Sequence, residues 1–339
     1  MLTLPVALVG FVAAAAVVAA AGVALTVRAE HLARVTGLGQ AIMGAVFIGI
    51  TTSLAGTVTS ATAAFLGSAA LAASNSIGGI AAQTVFLALA DMVYRKANLE
   101  HAAASEANLQ QSALLIVMLS IPLIGFALPE LTIGWVHPVS PLLVVVYLSG
   151  VHLVNRAFRE PMWRPRLTRE TEQEPPRDRS GERATARDWL GFLALAAVVA
   201  VAGWVIAECG VALSARLGLR ESLVGGVFTS VSTSLPELVV ALTAVRRGAL
   251  TLAVGDILGG NTFDVLFLAL ADLCYLEGSL YAAVGRGELL WLAVSLLMAG
   301  TLLMGLLRRE RFGFANIGFE SALVLAIYVV AVTVLALSP

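Results

Sequence analysis

The chain has 339 residues, of which 59% are hydrophobic and only 13% charged, and its net charge is −1. So few charges cannot clothe an ordinary water-soluble surface, so lipid must be the main solvent, and no basic patch offers itself to nucleic acid. The two cysteines, Cys209 and Cys274, both lie in apolar stretches and imply neither a disulfide framework nor a metal cluster.

A hydrocarbon core of about 30 Å requires roughly 20 apolar residues per spanning helix. In chain order, such stretches run at 4–27, 38–64, 68–90, 110–128, 139–154, 189–214, 222–245, 249–276, 286–307 and 318–337. They are continuous Ala, Val, Leu and Gly runs of helical length, which excludes the alternating ten-residue segments of a β-barrel. The first has no Lys or Arg before it and is too long for a signal-peptide core, so it is read as a retained span.

Between the fifth and sixth spans, Asn155 to Asp188 mixes nine arginines with seven acids and four prolines, the composition of a flexible linker. The chain thus divides into a first five-helix unit at 1–154, a linker at 155–188 and a second five-helix unit at 189–339. Placing the N-terminus outside puts 18 of the 21 basic residues on the linker side. The positive-inside rule therefore predicts both termini outside, a cytosolic linker and residence in the plasma membrane.

The two halves repeat. A shift of 181 residues aligns Gly44–Asp91 with Gly225–Asp272 without a gap, and about 20 of the 48 pairs are identical. Thr52-Ser53-Leu54 falls on Thr233-Ser234-Leu235, Gly78-Gly79 on Gly259-Gly260, and Phe86–Asp91 on Phe267–Asp272. An odd number of spans separates the copies, so the second crosses the membrane in the opposite sense. The predicted fold is an all-α membrane protein of ten transmembrane helices in two inverted five-helix repeats, a design that points to a secondary transporter with its site near the midplane.

The interrupted helices carry the polar chemistry. Ser232-Thr233-Ser234-Leu235-Pro236-Glu237 sets hydroxyls, a helix breaker and a carboxylate in an apolar stretch, and Pro236 frees upstream carbonyls. Gly255-Asp256 to Gly259-Gly260-Asn261-Thr262-Phe263-Asp264 adds more oxygen donors, with Asp264 one turn beyond Gly260. Hard oxygens of this kind suit Na⁺ or Ca²⁺. An ionisable group at membrane depth costs about 2.5–3.5 kcal/mol, which favours a functional over a structural reading of Glu237 and Asp264. Asp91 and Asp272 are expected as boundary ion pairs or caps. The four histidines are scattered near loops and form no ligand pattern.

From about Glu208 to Asp272 the sequence resembles the calcium/cation antiporter superfamily, which includes the sodium/calcium and proton/calcium exchangers. Thr233-Ser-Leu-Pro-Glu237, Arg247-Gly248, Leu252–Gly255 and Gly259–Asp264 are similar to that family's second α-repeat. The resemblance implies ion ligands at Thr233, Ser234, Glu237 and Asp264, with Thr52 and Ser53 as counterparts and Gln83, Asn261 and Asp256 as further candidates. The first repeat departs from the family pattern: Ala55-Gly56 stands for Pro-Glu, and Gln83 for the usual Asn.

With one of two central glutamates missing, ligands become few for Ca²⁺, and a buried carboxylate without its partner holds a proton in competition with a cation. The expectation is antiport of an inorganic cation, Na⁺ or Ca²⁺, for H⁺, with no cofactor. Sodium/calcium exchange proper, a larger organic cation, and a non-transporting scaffold or sensor descended from an exchanger are the alternatives. No nucleophile and base set or phosphate loop suggests an enzyme. The expected partners are the lipid bilayer and the transported cations, with no nucleic acid and no oligomeric state assigned.

Overall fold

The computed structural model describes residues 2–36, 47, 49–94, 96–166, 168, 171, 184–313 and 317–337. These residues build helices α1 (Leu4–Thr36), α2 (Leu54–Phe65), α3 (Ala69–Val93), the short α4 (Leu99–Ala102), α5 (Glu106–Ala127), α6 (Val139–Arg159) and α7 (Ala186–Leu217). The second half continues with α8 (Glu221–Thr233), α9 (Leu235–Arg246), α10 (Leu250–Cys274), α11 (Leu280–Ala283), α12 (Arg286–Arg308) and α13 (Phe319–Leu337). Among the described residues, eight helices are long and apolar enough to cross a membrane, and α8 with α9 make a ninth if counted as one bent span. The first part of the expected span 38–64 lies largely outside the described residues.

The molecule is turned outward as lipid requires. Val9, Val12, Val145, Val201, Val329 and Val330 are exposed, while Asn75, Gln83, Asn261, Thr262 and Asp264 are buried. The largest core joins α3 to α5, α9, α10, α12 and α13. A separate seam of Ala14, Val18, Leu25, Val199, Ala202 and Ile206 zips the two long helices α1 and α7 together beside α2.

Small residues set the closest crossings. A Cβ at Gly78 of α3 would stand 2.4 Å from the Gly226 Cα of α8, so only glycine lets these backbones meet. Gly22 of α1 packs on the ring of Pro236, and Gly203 of α7 on the carbonyl of Ala55. Each long helix therefore touches the polar interruption in the opposite half of the chain.

Loop ends are clasped by two buried aspartates. Asp91 accepts backbone N–H bonds from Leu99 (2.7 Å) and Gly318 (3.1 Å). Asp272 accepts from Leu280 N (2.9 Å), His137 N (2.7 Å) and the Ser140 hydroxyl (2.6 Å). Both act as caps for following backbone, one of the two roles expected for them. In the central stretch, the Thr168 hydroxyl reaches His101 Nε2 (2.8 Å) and Arg309 donates to the Thr171 hydroxyl (3.1 Å), so its described part docks on the helix bundle.

Candidate cation site

The site is assembled where helices break. Between α8 and α9 the axis bends by 49°, centred on Ser234, whose ψ of 8° leaves the helical range. Pro236 sits in the first turn of α9 and has no N–H to return to the Ser232 carbonyl. The break also occurs 181 residues earlier, at Ser53 with ψ 9°, although Ala55-Gly56 replaces Pro236-Glu237 there. Proline is thus not needed for the first interruption. The Ser53 hydroxyl instead leaves its own helix and donates to Asp264 Oδ1 at 2.6 Å.

Asp264 is the hub. Gln83 Nε2 donates to its Oδ2 (2.6 Å) and to the Ser234 hydroxyl (3.1 Å), while the Ser76 hydroxyl donates to its main-chain carbonyl (2.6 Å). Asp264 acts electrostatically on the Glu237 carboxyl, which opens α9 and is 8% exposed. Three buried acceptor oxygens have no hydrogen-bond donor: Glu237 Oε2, Gln83 Oε1 and Asn261 Oδ1. Gly260 faces Gln83 Oε1 and Gly79 faces the Ser234 hydroxyl, with room to spare, so both glycines leave the centre open. Oxygens buried without donors are costly unless a cation or a proton meets them.

The structure therefore brings Ser53, Gln83, Ser234 and Asp264 into one hydrogen-bonded group, with Glu237 beside them. Thr52 and Thr233 line the same breaks, but their hydroxyls donate into their own helices, to Gly49 O (3.2 Å) and Ser230 O (3.1 Å). Asn261 points elsewhere with its amide, donating to Thr84 (3.2 Å). Asp256 lies two turns before Asp264, about 12 Å along α10, and is partly exposed, so it stands apart from the group.

Three contributors were missed by sequence reasoning. Ser76 carries the bond to the Asp264 carbonyl. Asn75 donates to the Gly56 carbonyl (3.2 Å) and the Ser60 hydroxyl (2.9 Å) and accepts from Thr229 (2.7 Å), which ties the first break to α8. Its signal was available, because Asn75 stands 181 residues before Asp256. Phe267 is the third: a Cβ on Gly56 would meet its ring at 2.7 Å, so an aromatic edge fills the place where the second repeat has Glu237. Nothing in the local sequence announces that contact.

The chain matches the sodium/calcium exchanger protein family over residues 6–153 and 188–337, well over half its length and in both halves. It belongs to the sodium/calcium exchanger family. Among curated relatives of this exchanger-family chain, the inner membrane protein YrbG of Escherichia coli is 33% identical over 127 residues, 38% of this chain and 37% of that one. The sodium/calcium exchanger MaX1 of Methanosarcina acetivorans is 36% identical over 84 residues, 24% of either chain. The matched stretches thus span well under half of these relatives.

Among solved structures, an H⁺/Ca²⁺ exchanger CAX superposes with TM-score 0.71 at 12% identity, covering 97% of this chain and 84% of that one. The sodium-calcium exchanger NCX_Mj gives 0.58 at 18% identity, covering 98% and 99%. These likenesses establish that the exchanger-family chain has the exchanger fold, and they place it among ion exchangers rather than enzymes.

Proposed function

We propose that this protein is a secondary active antiporter that exchanges an inorganic cation for H⁺ by alternating access. The observation that carries the reading is the Ser53, Gln83, Ser234 and Asp264 group, closed at the centre of the fold beside donor-free oxygens of Glu237, Gln83 and Asn261. Glu237 binds the proton or the cation in turn, Asp264 shares the charge, and Thr52, Ser53, Thr233 and Ser234 complete the shell. Only two carboxylates serve the site, because Phe267 fills the space beside Gly56. Six to eight oxygens suit Ca²⁺, and two carboxylates with one amide suit a monovalent ion better. Ca²⁺ remains the second reading, favoured by the names of MaX1 and CAX.

The proposal includes two inverted five-helix repeats with ten spans. Its support is a set of contacts that recur at the 181-residue offset. Ser53 bonds Asp264 while Ser234 bonds Gln83; Gly22 packs on Pro236 while Gly203 packs on Ala55; Asp91 caps Leu99 while Asp272 caps Leu280. Gln83 and Asp264 are themselves partners at that offset, so they meet on the pseudo-two-fold axis. Alternating access then consists of α1 and α7 moving against the two breaks they touch, with differential cation affinity driving the change. The protein is placed in the plasma membrane with both termini outside and residues 155–188 in the cytosol; the name of YrbG supports the membrane.

The test is flux in proteoliposomes carrying a pH-sensitive dye, with imposed gradients of Na⁺, K⁺ or Ca²⁺. Wild-type protein is expected to acidify or alkalinise the lumen in response to a cation gradient, and Glu237→Gln to abolish the response. Cation-driven proton movement that survives Glu237→Gln removes the proposed role. No flux with any cation in wild type points instead to a scaffold or sensor.

A further inference from the structure

Away from the cation site, the fold buries a second group of carboxyls at the linker end of α3. Asp91 lies eight residues, about 12 Å, beyond Gln83 on that helix. Asp91, Glu100 and Glu320 are 0%, 1% and 1% exposed. The clasp described above accounts for Asp91. It does not account for the other two: both carboxyl oxygens of Glu320 and Oε2 of Glu100 are buried without a hydrogen-bond donor. The Glu100 and Glu320 carboxyls nevertheless lie within hydrogen-bonding reach of each other. Glu320 is held there by shape, wedged between Gly305 and Gly318, where a Cβ would come within 2.6 Å and 2.4 Å of it.

The other half of the chain shows what the clasp needs. Asp91, Leu99, Gly318 and Ser321 correspond at the 181-residue offset to Asp272, Leu280, His137 and Ser140. In that second clasp the positions of Glu100 and Glu320 are held by Tyr281 and Val139, both uncharged. Two acids are therefore not required to close the loop. They are an addition made on one side only.

We propose that Glu100 and Glu320 form a proton-binding site separate from the transport centre, a carboxyl–carboxylate pair that holds one shared proton at the linker end of the bundle. Ionised, the two groups offer only acceptors to each other; one proton converts the contact into a charge-assisted hydrogen bond. The charged groups around the pair are Asp91 on α3, Glu310 in the loop after α12, and His101 and Arg309. Arg309 turns its guanidinium to the carbonyls of Arg166 and His101, and His101 donates Nδ1–H to the Arg309 carbonyl.

Burial first, then Asp91 and Glu320, push the Glu100 carboxyl well above its ordinary value of 4.5. The folded chain then holds the proton more tightly than the unfolded one. The pair's contribution to stability is complete below the ordinary carboxylate range and is lost as pH climbs towards the folded-state value. Loss of the proton drives Glu320 of α13 and Glu100 of α4 apart, next to the point where Thr168 and Thr171 dock.

The experiment uses the full chain in detergent, carrying Glu237→Gln and Asp264→Asn so that the central carboxyls are silent. Infrared difference spectra on raising the pH are expected to show loss of a protonated-carboxyl C=O band. Glu100→Gln and Glu320→Gln should each remove that band, and the double variant should remove no more than either single one. In thermal unfolding, Glu100→Gln should flatten the fall of Tm on the alkaline side and leave the acid side in place. A band and an alkaline fall that persist unchanged in both single variants overturn the proposal. So does an alkaline fall cancelled by added Na⁺, K⁺ or Ca²⁺, which identifies a metal-cation site instead. Should Glu100→Gln not fold, Glu320→Gln and the titration of the unmodified pair decide by the same criteria.

Discussion

At the scale of single residues, the site is asymmetric in charge although the backbone around it is duplicated. Glu237 and Asp264 come from the second half, and their counterparts are Gly56 and Gln83. Gln83 repays its lost charge by donating to Asp264 and Ser234 at once, which a carboxylate at that position cannot do. Gly56 is harder to reverse, because Phe267 occupies the space. Gly56→Glu alone should overpack the centre and cost about 1–3 kcal/mol, lowering Tm. Combined with Phe267→Ala it regains the room, and the additional carboxylate should shift binding towards Ca²⁺ over Na⁺. Competition between the two ions for the purified variant, measured by calorimetry, checks this, and an unchanged preference counts against the two-carboxylate account of selectivity.

Among the helices, the breaks at Ser53 and Ser234 matter more than any one side chain. They turn hydroxyls and main-chain carbonyls into the bundle, at the places where Gly203 of α7 and Gly22 of α1 press on them. The two breaks have different causes. Pro236 makes the second by chemistry visible in the sequence, whereas Ser53 is held out of its helix by a bond to a residue 211 positions away. Pro236→Ala restores an N–H to the Ser232 carbonyl and should relax the 49° bend. Because an internal proline costs a helix about 3 kcal/mol, this variant should keep or raise Tm while slowing exchange. Parallel measurement of Tm and flux separates the two effects; full-speed exchange would show that the bend is not part of the site.

For the molecule as a whole, the charge distribution and the apolar spans specify a direction of insertion. In a chain with Cys209 and Cys274 replaced by alanine, Leu2→Cys should react with an impermeant maleimide in intact cells, and Ser180→Cys only after lysis. The reverse pattern would invert the proposed topology. The central stretch also proves less detached than its composition suggests, since Thr168 and Thr171 are bonded to His101 and Arg309. Composition reports how poorly a segment can build a core, not whether a neighbouring surface offers it hydrogen bonds.

The sequence alone determined the solvent of this protein, the position of most spans, the internal repeat and the family, because lipid burial and repetition leave periodic, local marks that survive in one dimension. It also singled out Glu237 and Asp264, since a carboxylate in an apolar helix is conspicuous wherever it points. Only the tertiary structure decided which of the candidates meet. Gln83, Ser53 and Ser234 converge on one carboxylate while Asp256 stands two turns away. Phe267 occupies the missing glutamate's place, and Glu100 finds Glu320 across more than 200 residues of chain. Those outcomes depend on where helices cross, and crossing is set by packing between distant segments, which no local pattern encodes.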